Sequence, residues 1–399
     1  MVGYKQTEVG LIPEDWEVFQ ISEISDSYSG GTPSTVNKNY YGGSINWITS
    51  SELNQGVIRC TSECITELGL KHSSAKLIRP STLLVAMYGA TAGVAAISKI
   101  SGAINQAVLA INLDENKSIA EYLINYWRKN QAVIVSTYTQ GGQPNLSGSI
   151  IKRIPVPLPE LAEQRAIATA LSDADAWIES LEKLIAKKRL VKQGAMQKLL
   201  TPGEDWEVRK LGEIADILDH LRKPLNDSER QKMKGDVPYC GANGVVDFVN
   251  DYLIDDNIIL MAEDGGYFDE YKTRPIAYQM KGKCWVNNHA HILKAKSTID
   301  QNFLYYSLVH KNILNYINGG TRAKLNKGEL VNIFINIPLD NLPKQTRIAS
   351  ILSDMDAEID ALEKKLEKTR KVKLGMMQEL LSGRVRLVKN ETKLEKCSS

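Results

Sequence analysis

A long segment of this chain occurs twice in its sequence. Residues 164–200 align with residues 345–381 without gaps at a constant offset of 181, and 21 of the 37 aligned positions are identical. Within them, LSDADAWIESLEK at 171–183 returns as LSDMDAEIDALEK at 352–364. A fold for this chain must therefore give the same local structure to two segments that are far apart in sequence.

Shorter echoes surround the two copies in the same order. EDWEVFQISEISD at 14–26 is matched by EDWEVRKLGEIAD at 204–216, and YTQGGQPNL at 138–146 resembles YINGGTRAKL at 316–325. The order is thus an entry segment, a divergent middle and a repeated helix, and then the same again. This order predicts an internal repeat of one structural unit.

Each copy of the repeated segment carries one narrow apolar stripe. Its apolar residues step by four and three positions, which is the a/d spacing of a coiled coil. Such a stripe suits one facing helix, and the intervening chain allows the second helix to return antiparallel to the first. The predicted seam consists of Ile167, Leu171, Ala174, Ile178, Leu181 and Ile185 in the first copy, and Ile348, Leu352, Met355, Ile359, Leu362 and Leu366 in the second.

The two middles, residues 17–158 and 207–340, have a similar order of predicted elements but little sequence in common. Each has short β-like runs separated by Gly, Asn and Pro, followed by one amphipathic helix, at 118–130 and at 299–312. The predicted fold class is α+β: two similar mixed α/β domains separated by two long helices that form an antiparallel coiled coil, a pseudo-twofold repeat. The predicted parts are a first domain (1–158), a first helix (159–202), a second domain (203–340), a second helix (341–384) and a C-terminal tail (385–399).

Composition excludes several classes of protein. A net charge of +2 gives no argument from bulk charge for a nucleic-acid partner. We find no apolar run long enough for a membrane span and no secretory signal, so we expect a cytoplasmic protein without membrane contact. The five cysteines are scattered, and neither Cys60 and Cys64 with His72 nor the His289-x-His291 pair makes a convincing ligand set, so no metal is predicted.

Catalytic motifs are not found in the sequence. It contains no phosphate-binding glycine motif, no Gly-x-Ser-x-Gly elbow and no Asn-Pro-Pro-aromatic run of an adenine methyltransferase. A nuclease cluster could be imagined from Asp264, Glu270 and Lys272, but the pattern is short and common by chance. We therefore predict no catalytic residue in this chain.

The loops of the two middles are rich in side chains that can bond base edges or phosphates. Asn and Gln can pair with adenine, and Arg and Lys with guanine or phosphate. The candidates in the first domain are Thr49, Ser50, Ser51, Lys71, Tyr88, Asn105, Gln106, Gln143 and Asn145. Those in the second are Arg222, Lys223, Asn243, Lys272, Arg274, Asn287, Asn288, His289, Arg322 and Lys324. Asn105–Gln106 and Asn287–Asn288 hold matched places in INQAVLAI and VNNHAHIL.

Taken together, these features resemble the specificity subunit of a type I restriction–modification system. The resemblance covers nearly the whole chain. It is carried by EDWEV before each middle, followed by ISEI at 21–24 in the first copy and LGEI at 211–214 in the second. It is also carried by GGTPS at 30–34, INWITSSEL at 45–53, and EQRAIATALSDAD at 163–175 with KQTRIASILSDMD at 344–356. One departure is that ILDHLRKPL at 217–225 stands in the second domain where GGTPS would be expected.

The resemblance implies a non-catalytic subunit of a DNA methyltransferase and restriction endonuclease complex. Each middle would be a target-recognition domain for one half of a bipartite, asymmetric site on double-stranded DNA. Two modification (methyltransferase) subunits and two restriction (motor–nuclease) subunits would dock on the chain. S-adenosylmethionine, ATP and Mg²⁺ would then belong to the partners and no cofactor to this chain. The alternatives are a self-sufficient DNA nuclease or methyltransferase, and a structural coiled-coil adaptor that never touches DNA.

Overall fold

The computed structural model describes residues 3–139, 145–319, 323–338 and 341–387. The chain divides into two compact units: unit 1 comprises Met1–Leu181 with Lys365–Ser399, and unit 2 comprises Glu182–Lys364. The predicted domain boundaries were placed at helix ends, whereas the compact units divide inside the two long helices. Each unit therefore contains one mixed domain and half of each long helix.

The mixed domain of unit 1 consists of short strands and a few helices. The strands are β1 (Tyr4–Thr7), β2 (Gly10–Pro13), β3 (Glu17–Gln20), β4 (Ser25–Ser29), β5 (Tyr41–Ile48), β6 (Val57–Ile58), β7 (Glu63–Ile65), β8 (Lys76–Ile78), β9 (Leu83–Ala86), β10 (Ala95–Ser98), β11 (Gly102–Ile104), β12 (Val108–Leu113) and β13 (Pro155–Leu158). The helices are α1 (Ile21–Ile24), α2 (Glu67–Lys71), α3 (Ala120–Tyr138), α4 (Gly148–Lys152) and the long α5 (Leu161–Leu199), whose second half belongs to unit 2.

Unit 2 repeats most of these elements. Its strands are β14 (Trp206–Lys210), β15 (Ala215–Ile217), β16 (Lys234–Gly241), β17 (Gly244–Val249), β18 (Ile254–Ala262), β19 (Ala277–Val286), β20 (Ala290–Ala295) and β21 (Phe334–Pro338). Its helices are α6 (Leu211–Ile214), α7 (Asp227–Lys232), α8 (Gln301–Leu308), α9 (Lys327–Leu330) and the first half of α10 (Leu342–Leu380).

The sheets of the two units share one topology at their centres. In unit 1, β12 lies between β4 and β9 and is antiparallel to both, while β11 pairs parallel with β5. In unit 2, β20 lies between β15 and β18 and is antiparallel to both, while β19 pairs parallel with β16. The outer strands differ, since unit 2 has one six-stranded sheet where unit 1 has sheets of five and four strands.

One glutamine in each unit joins the long helix to the domain. Gln164 of α5 is fully buried: its Oε1 accepts from the amide of Ile119 at 3.2 Å, just before α3, and its Nε2 donates to the carbonyl oxygens of Lys117 and Pro159 at 2.8 and 2.9 Å. Gln345 of α10 accepts in the same way from the amide of Asp300, at the start of α8. Each amide side chain therefore fixes the first turn of the domain helix on the long helix.

The long helices pack antiparallel within each unit. In unit 1, Lys373 pairs with Asp175, while in unit 2 the equivalent Lys192 pairs with Asp356. Arg189 and Glu363, also in unit 2, add a pair at 2.6 Å. In unit 1 Lys365 lies over the ring of Trp177, so in both units residue numbers rise along one helix as they fall along the other. The predicted fold of two similar mixed domains and two long antiparallel helices is confirmed.

The twelve residues of the proposed seam are all withdrawn from solvent. Ile167, Leu171, Leu181, Ile185, Ile348, Leu352 and Ile359 are buried, and Ala174, Ile178, Met355, Leu362 and Leu366 are half-buried. The first two residues of each copy also belong to the core of their own mixed domain. Burial of an apolar side chain contributes about 1.5–3 kcal/mol, so these first two residues help to hold each long helix on its own domain.

Candidate nucleic-acid interface

Several of the predicted polar residues of unit 1 meet where parallel strands β5 and β11 end. The amide of Asn105 donates to the carbonyl of Ile48 at 3.2 Å, which places the 105–106 loop beside the 49–51 loop. Thr49 and Ser51 share a hydrogen bond of 2.8 Å between their hydroxyls. Both loops leave the sheet at the same end, so their side chains lie on one surface.

Two more segments join this surface. The amide of Met87 donates to the carbonyl of Ala107 at 2.8 Å, and the amide of Leu146 donates to the carbonyl of Met87 at 2.6 Å. Tyr88 and Asn145 therefore form an isolated antiparallel bridge next to the 105–106 loop. We call the set formed by residues 30–33, 49–51, 88, 105–106 and 145 the polar end of unit 1.

The two glycines of GGTPS lie where neighbouring atoms leave no room for a Cβ atom. A Cβ on Gly30 would lie 1.8 Å from the carbonyl oxygen of Ile104, and one on Gly31 would lie 1.9 Å from Oγ of Ser74. Only glycine allows the backbone to approach the end of β11 so closely. The following Thr32 then donates a hydrogen bond to Oε1 of Gln106. The motif thus brings a hydroxyl to the polar end of unit 1, which the sequence did not single out.

Unit 2 forms the corresponding surface with the same backbone contacts. The amide of Asn287 donates to the carbonyl of Cys240 at 3.0 Å, and the amide of Glu263 donates to the carbonyl of His289 at 2.8 Å. Asp264 and Lys324 form the isolated bridge. We call the set formed by residues 219–223, 241–243, 263–264, 287–289 and 324 the polar end of unit 2.

ILDHLRKPL takes the place of GGTPS in this surface. The amide of Lys223 donates to the carbonyl of Val286 at 3.0 Å, the position that corresponds to the carbonyl of Ile104 beside Gly30. The carbonyl of Lys223 accepts from the indole of Trp285 at 2.7 Å. The two segments are therefore equivalent in position although their sequences differ.

The side chains at equivalent positions differ in charge. The polar end of unit 1 offers hydroxyls and amides. The polar end of unit 2 contains a charged cluster in which Arg222 contacts the carboxylates of Glu263 and Asp219, and Lys324 lies 3.0 Å from Glu263. The two surfaces share one backbone frame and present different chemistry.

Hydrogen bonds shift the titration of the carboxylates in this cluster. Burial opposes ionisation of Asp219, but the hydrogen bond from His291 and the nearby charges outweigh it and lower the pKa of Asp219. Burial also opposes ionisation of Glu263, yet the contacts with Arg222 and Lys324 lower its pKa. Both side chains are therefore carboxylates at neutral pH.

Asp219, Glu263 and His291 also have the spacing of a metal-ligand set, with one ligand atom of each within 4.8 Å of the others. Arg222, however, donates to Glu263 and lies 3.4 Å from Asp219. His291 directs its ring nitrogens at Asp219 and at the carbonyl of Leu325, at 2.7 and 2.8 Å. A protein cation already balances these carboxylates, so the residues do not fit a metal ion well.

The asparagines at matched places have one geometry. Oδ1 of Asn105 accepts from the amide of Ala107 at 3.1 Å, and Oδ1 of Asn287 accepts from the amide of His289 at 2.8 Å. Each asparagine thereby shapes its own turn. The next residues, Gln106 and Asn288, are exposed. At these turns the exposed side chains of Gln106 and Asn288 are therefore available to a partner, and so is the half-exposed ring of His289.

Of the remaining candidates, Asn243 lies at the polar end of unit 2, whereas Arg274, Lys272 and Lys71 have other surroundings. Asn243 donates to the carbonyl of Gly265 at 2.9 Å and remains exposed at the polar end of unit 2. The guanidinium of Arg274 stacks 3.1 Å from the ring centroid of Tyr267, and Lys272 lines a cleft of about 810 Å³ beside the long helices. Lys71 is exposed at the end of α2.

Some predicted residues have other surroundings or no description. Arg222 is only 18% exposed, and its Nη1 contacts Glu263 and the carbonyls of Asn288 and Ala290. Gln143, Arg322 and the tail beyond residue 387 lie outside the described residues. The imagined nuclease residues do not converge among the described contacts, because Asp264 contacts His289 while Glu270 pairs with Arg274. Within the described residues, no helix has both the length and the apolar character needed to cross a membrane.

Comparisons with known proteins agree with this architecture. The chain is 25% identical over 429 aligned residues to the type I restriction enzyme MjaIX specificity subunit of Methanocaldococcus jannaschii, covering 96% of each protein. It is 37% identical over 162 residues to a putative type I restriction enzyme specificity subunit of Haemophilus influenzae, covering 41% of this chain and 40% of that protein.

A solved structure has the same fold. The crystal structure of a type I restriction-modification system S subunit from M. genitalium superposes with a TM-score of 0.63 at 19% identity, covering 92% of this chain and 96% of that one. The profile of the family described as type I restriction modification DNA specificity domain matches residues 13–188 and again residues 203–370. This chain therefore belongs to the type I restriction modification DNA specificity domain family, as the specificity subunit of a type I restriction–modification system.

Proposed function

We propose that the two units read the two halves of one bipartite, asymmetric DNA site. The observation that carries this proposal is the pair of polar ends: equivalent backbone contacts present different side chains in the two units. The hydroxyls and amides at the polar end of unit 1 can bond base edges. The charged cluster at the polar end of unit 2 offers cationic donors and carboxylate acceptors instead. Two different surfaces on one repeated frame would give a split site whose halves are unlike.

We propose further that the long helices carry the partner subunits. Large apolar side chains of these helices are exposed, which is costly for a surface that stays in water. They are Trp177, Leu190, Val191, Val372 and Leu374. Two modification subunits and two restriction subunits would cover such surfaces. The methyl transfer with S-adenosylmethionine, and the ATP- and Mg²⁺-dependent motor and nuclease steps, would take place on those partners.

Co-expression with the modification subunits tests the proposal. We expect the purified chain alone to leave plasmid DNA uncut and unmethylated. The assembled complex should methylate adenines at one split sequence, and its affinity for DNA should fall with rising salt. Cleavage or methylation by the chain alone would favour a self-sufficient DNA enzyme. A complex that shows no salt-dependent DNA binding would favour a structural coiled-coil adaptor.

A further inference from the structure

A histidine and an aspartate form a pair at the polar end of unit 2. Nδ1 of His289 lies 2.7 Å from Oδ1 of Asp264. The side chain of His289 is 41% exposed, whereas that of Asp264 is 17% exposed. Because the carboxylate holds one ring nitrogen, the other, Nε2, is the atom that the ring can offer to a ligand. In the described part of the chain we find no hydrogen bond at this Nε2.

The pair has no counterpart in unit 1. The backbone contacts that place His289 and Asp264 place Ala107 and Tyr88 at the equivalent positions. Ala107 is buried and has no group that can exchange a proton. One molecule therefore carries a titratable residue at one polar end and an inert residue at the matching position of the other.

The charge of the imidazole decides what Nε2 can do. When Nδ1–H donates to the carboxylate of Asp264, a neutral ring offers Nε2 only as an acceptor. A protonated ring donates from Nε2 as well, and imidazoles change charge between about pH 5 and pH 8. Guanine presents two acceptors in the major groove, N7 and O6, whereas the amino groups of adenine and cytosine are donors. Protonation thus changes which base edge the ring can bind.

Other charges surround the pair. The neighbouring carboxylate of Glu263 is balanced by Arg222 and Lys324. The carboxylate of Asp219 contacts His291 at 2.7 Å and Arg222 at 3.4 Å. Asp264 is the carboxylate in direct contact with the ring of His289, with its Oδ1 2.7 Å from Nδ1.

We propose that His289, held by Asp264, is a specificity-determining residue of unit 2, which donates from Nε2 to an acceptor on a base edge. The inference rests on the proposed function, because it needs unit 2 to read one half-site. Discrimination at that base then weakens as the pH rises and the ring becomes neutral. Discrimination in the half-site read by unit 1 does not depend on pH in this range.

The test uses the full chain assembled with its modification subunits. Competition binding gives the affinity ratio between the methylation site and a site with one base changed, for each half-site separately, between about pH 6 and pH 8. The half-site of unit 2 is the one altered by Asn288→Ala. Losing one charge-assisted hydrogen bond should lower the ratio for that half-site about tenfold across this range. The ratio for the other half-site should stay constant.

Three variants separate the proposed role from a structural one. His289→Gln should abolish the pH dependence, because the glutamine amide does not change charge in this range. Asp264→Asn keeps an oxygen that can accept from Nδ1–H but can also turn its amide group toward the ring, so the ring is held less firmly. The ratio for the unit 2 half-site should then fall below that of the parent chain. His310→Gln removes another histidine of unit 2, which bonds the carbonyl of Tyr271 at 2.7 Å, and should behave like the parent chain.

Several results would overturn the inference. An unchanged pH response in His289→Gln would do so, as would an equal response in both half-sites. If His289→Gln lowers the affinity for every DNA sequence equally, the ring contacts a phosphate and does not read a base. If neither half-site shows discrimination at any pH, the proposed function itself fails; a flat response with both half-sites discriminated rejects the role of His289 alone.

Discussion

Replacing Gln164 by leucine should loosen unit 1 specifically. The side chain is 0% exposed and makes three hydrogen bonds, of 3.2, 2.8 and 2.9 Å, to the amide of Ile119 and two carbonyls. Leucine removes all three and leaves the half-buried amide of Ile119 and two carbonyls without this partner, and each such loss costs about 1 kcal/mol or more. Added apolar burial offsets a part, so we expect a loss of about 3 kcal/mol.

Hydrogen exchange measures this loss locally. A change of about 3 kcal/mol in the opening free energy corresponds to amides in α3 that exchange about a hundredfold faster. Helix α8 in unit 2 should keep its protection. The matched variant Gln345→Leu loses bonds of 3.0 and 3.5 Å, so it should loosen α8 by less. If Gln164→Leu exchanges no faster than the exposed control Gln197→Leu, the attachment of α3 to α5 is not what we describe.

The remaining predictions concern the seam, the reading loops and acid stability. Leu181→Asp puts a charge at a position that is 4% exposed and should cost several kcal/mol, which thermal unfolding measures; a change below about 1 kcal/mol would contradict the seam. Gln106→Ala should relax one half of the methylated sequence and Asn288→Ala the other, and a sequencing map of methylated adenines in which both variants change the same half would contradict the division. Because the pKa values of Asp219 and Glu263 are lowered from 3.8 and 4.5, their contacts contribute stability above those values, and this stability is lost as the pH falls through the lower folded-state values. A pH series of unfolding should show Asp219→Asn flattening this acid loss, and an unchanged slope would argue against it.

The repeated helices could be predicted well because their signal is local. A 4-3 spacing of apolar residues specifies a helix and its buried face with little help from the rest of the chain. The extent of α3 was less predictable: the sequence indicated 118–130, whereas the helix is Ala120–Tyr138. The N-cap is Ile119, whose amide donates to Oε1 of Gln164, 45 residues away. No local pattern contains that contact.

The polar ends could be predicted only in part for the same reason. The matched places of Asn105 and Asn287 correspond to turns with the same backbone hydrogen bond, but sequence alone does not tell which side chain of a turn is used by its own backbone. Arg222 was a plausible DNA contact because arginine suits guanine. Its partner Asp219 lies only three residues away, whereas Glu263 directly follows the distant strand β18. The approach of Glu263 depends on sheet register, which a single sequence does not reveal.

The central claim is that each unit specifies its own half of the DNA site. It is tested most directly by a chain in which residues 207–338 are replaced by residues 17–157. The joints follow the shared Trp16 and Trp206 and keep the equivalent Pro157 and Pro338. Methylated adenines are then mapped by sequencing in a host that supplies the modification subunits. We predict a palindromic site with the unit 1 half-sequence at both ends, and a site that keeps its original second half would contradict the account.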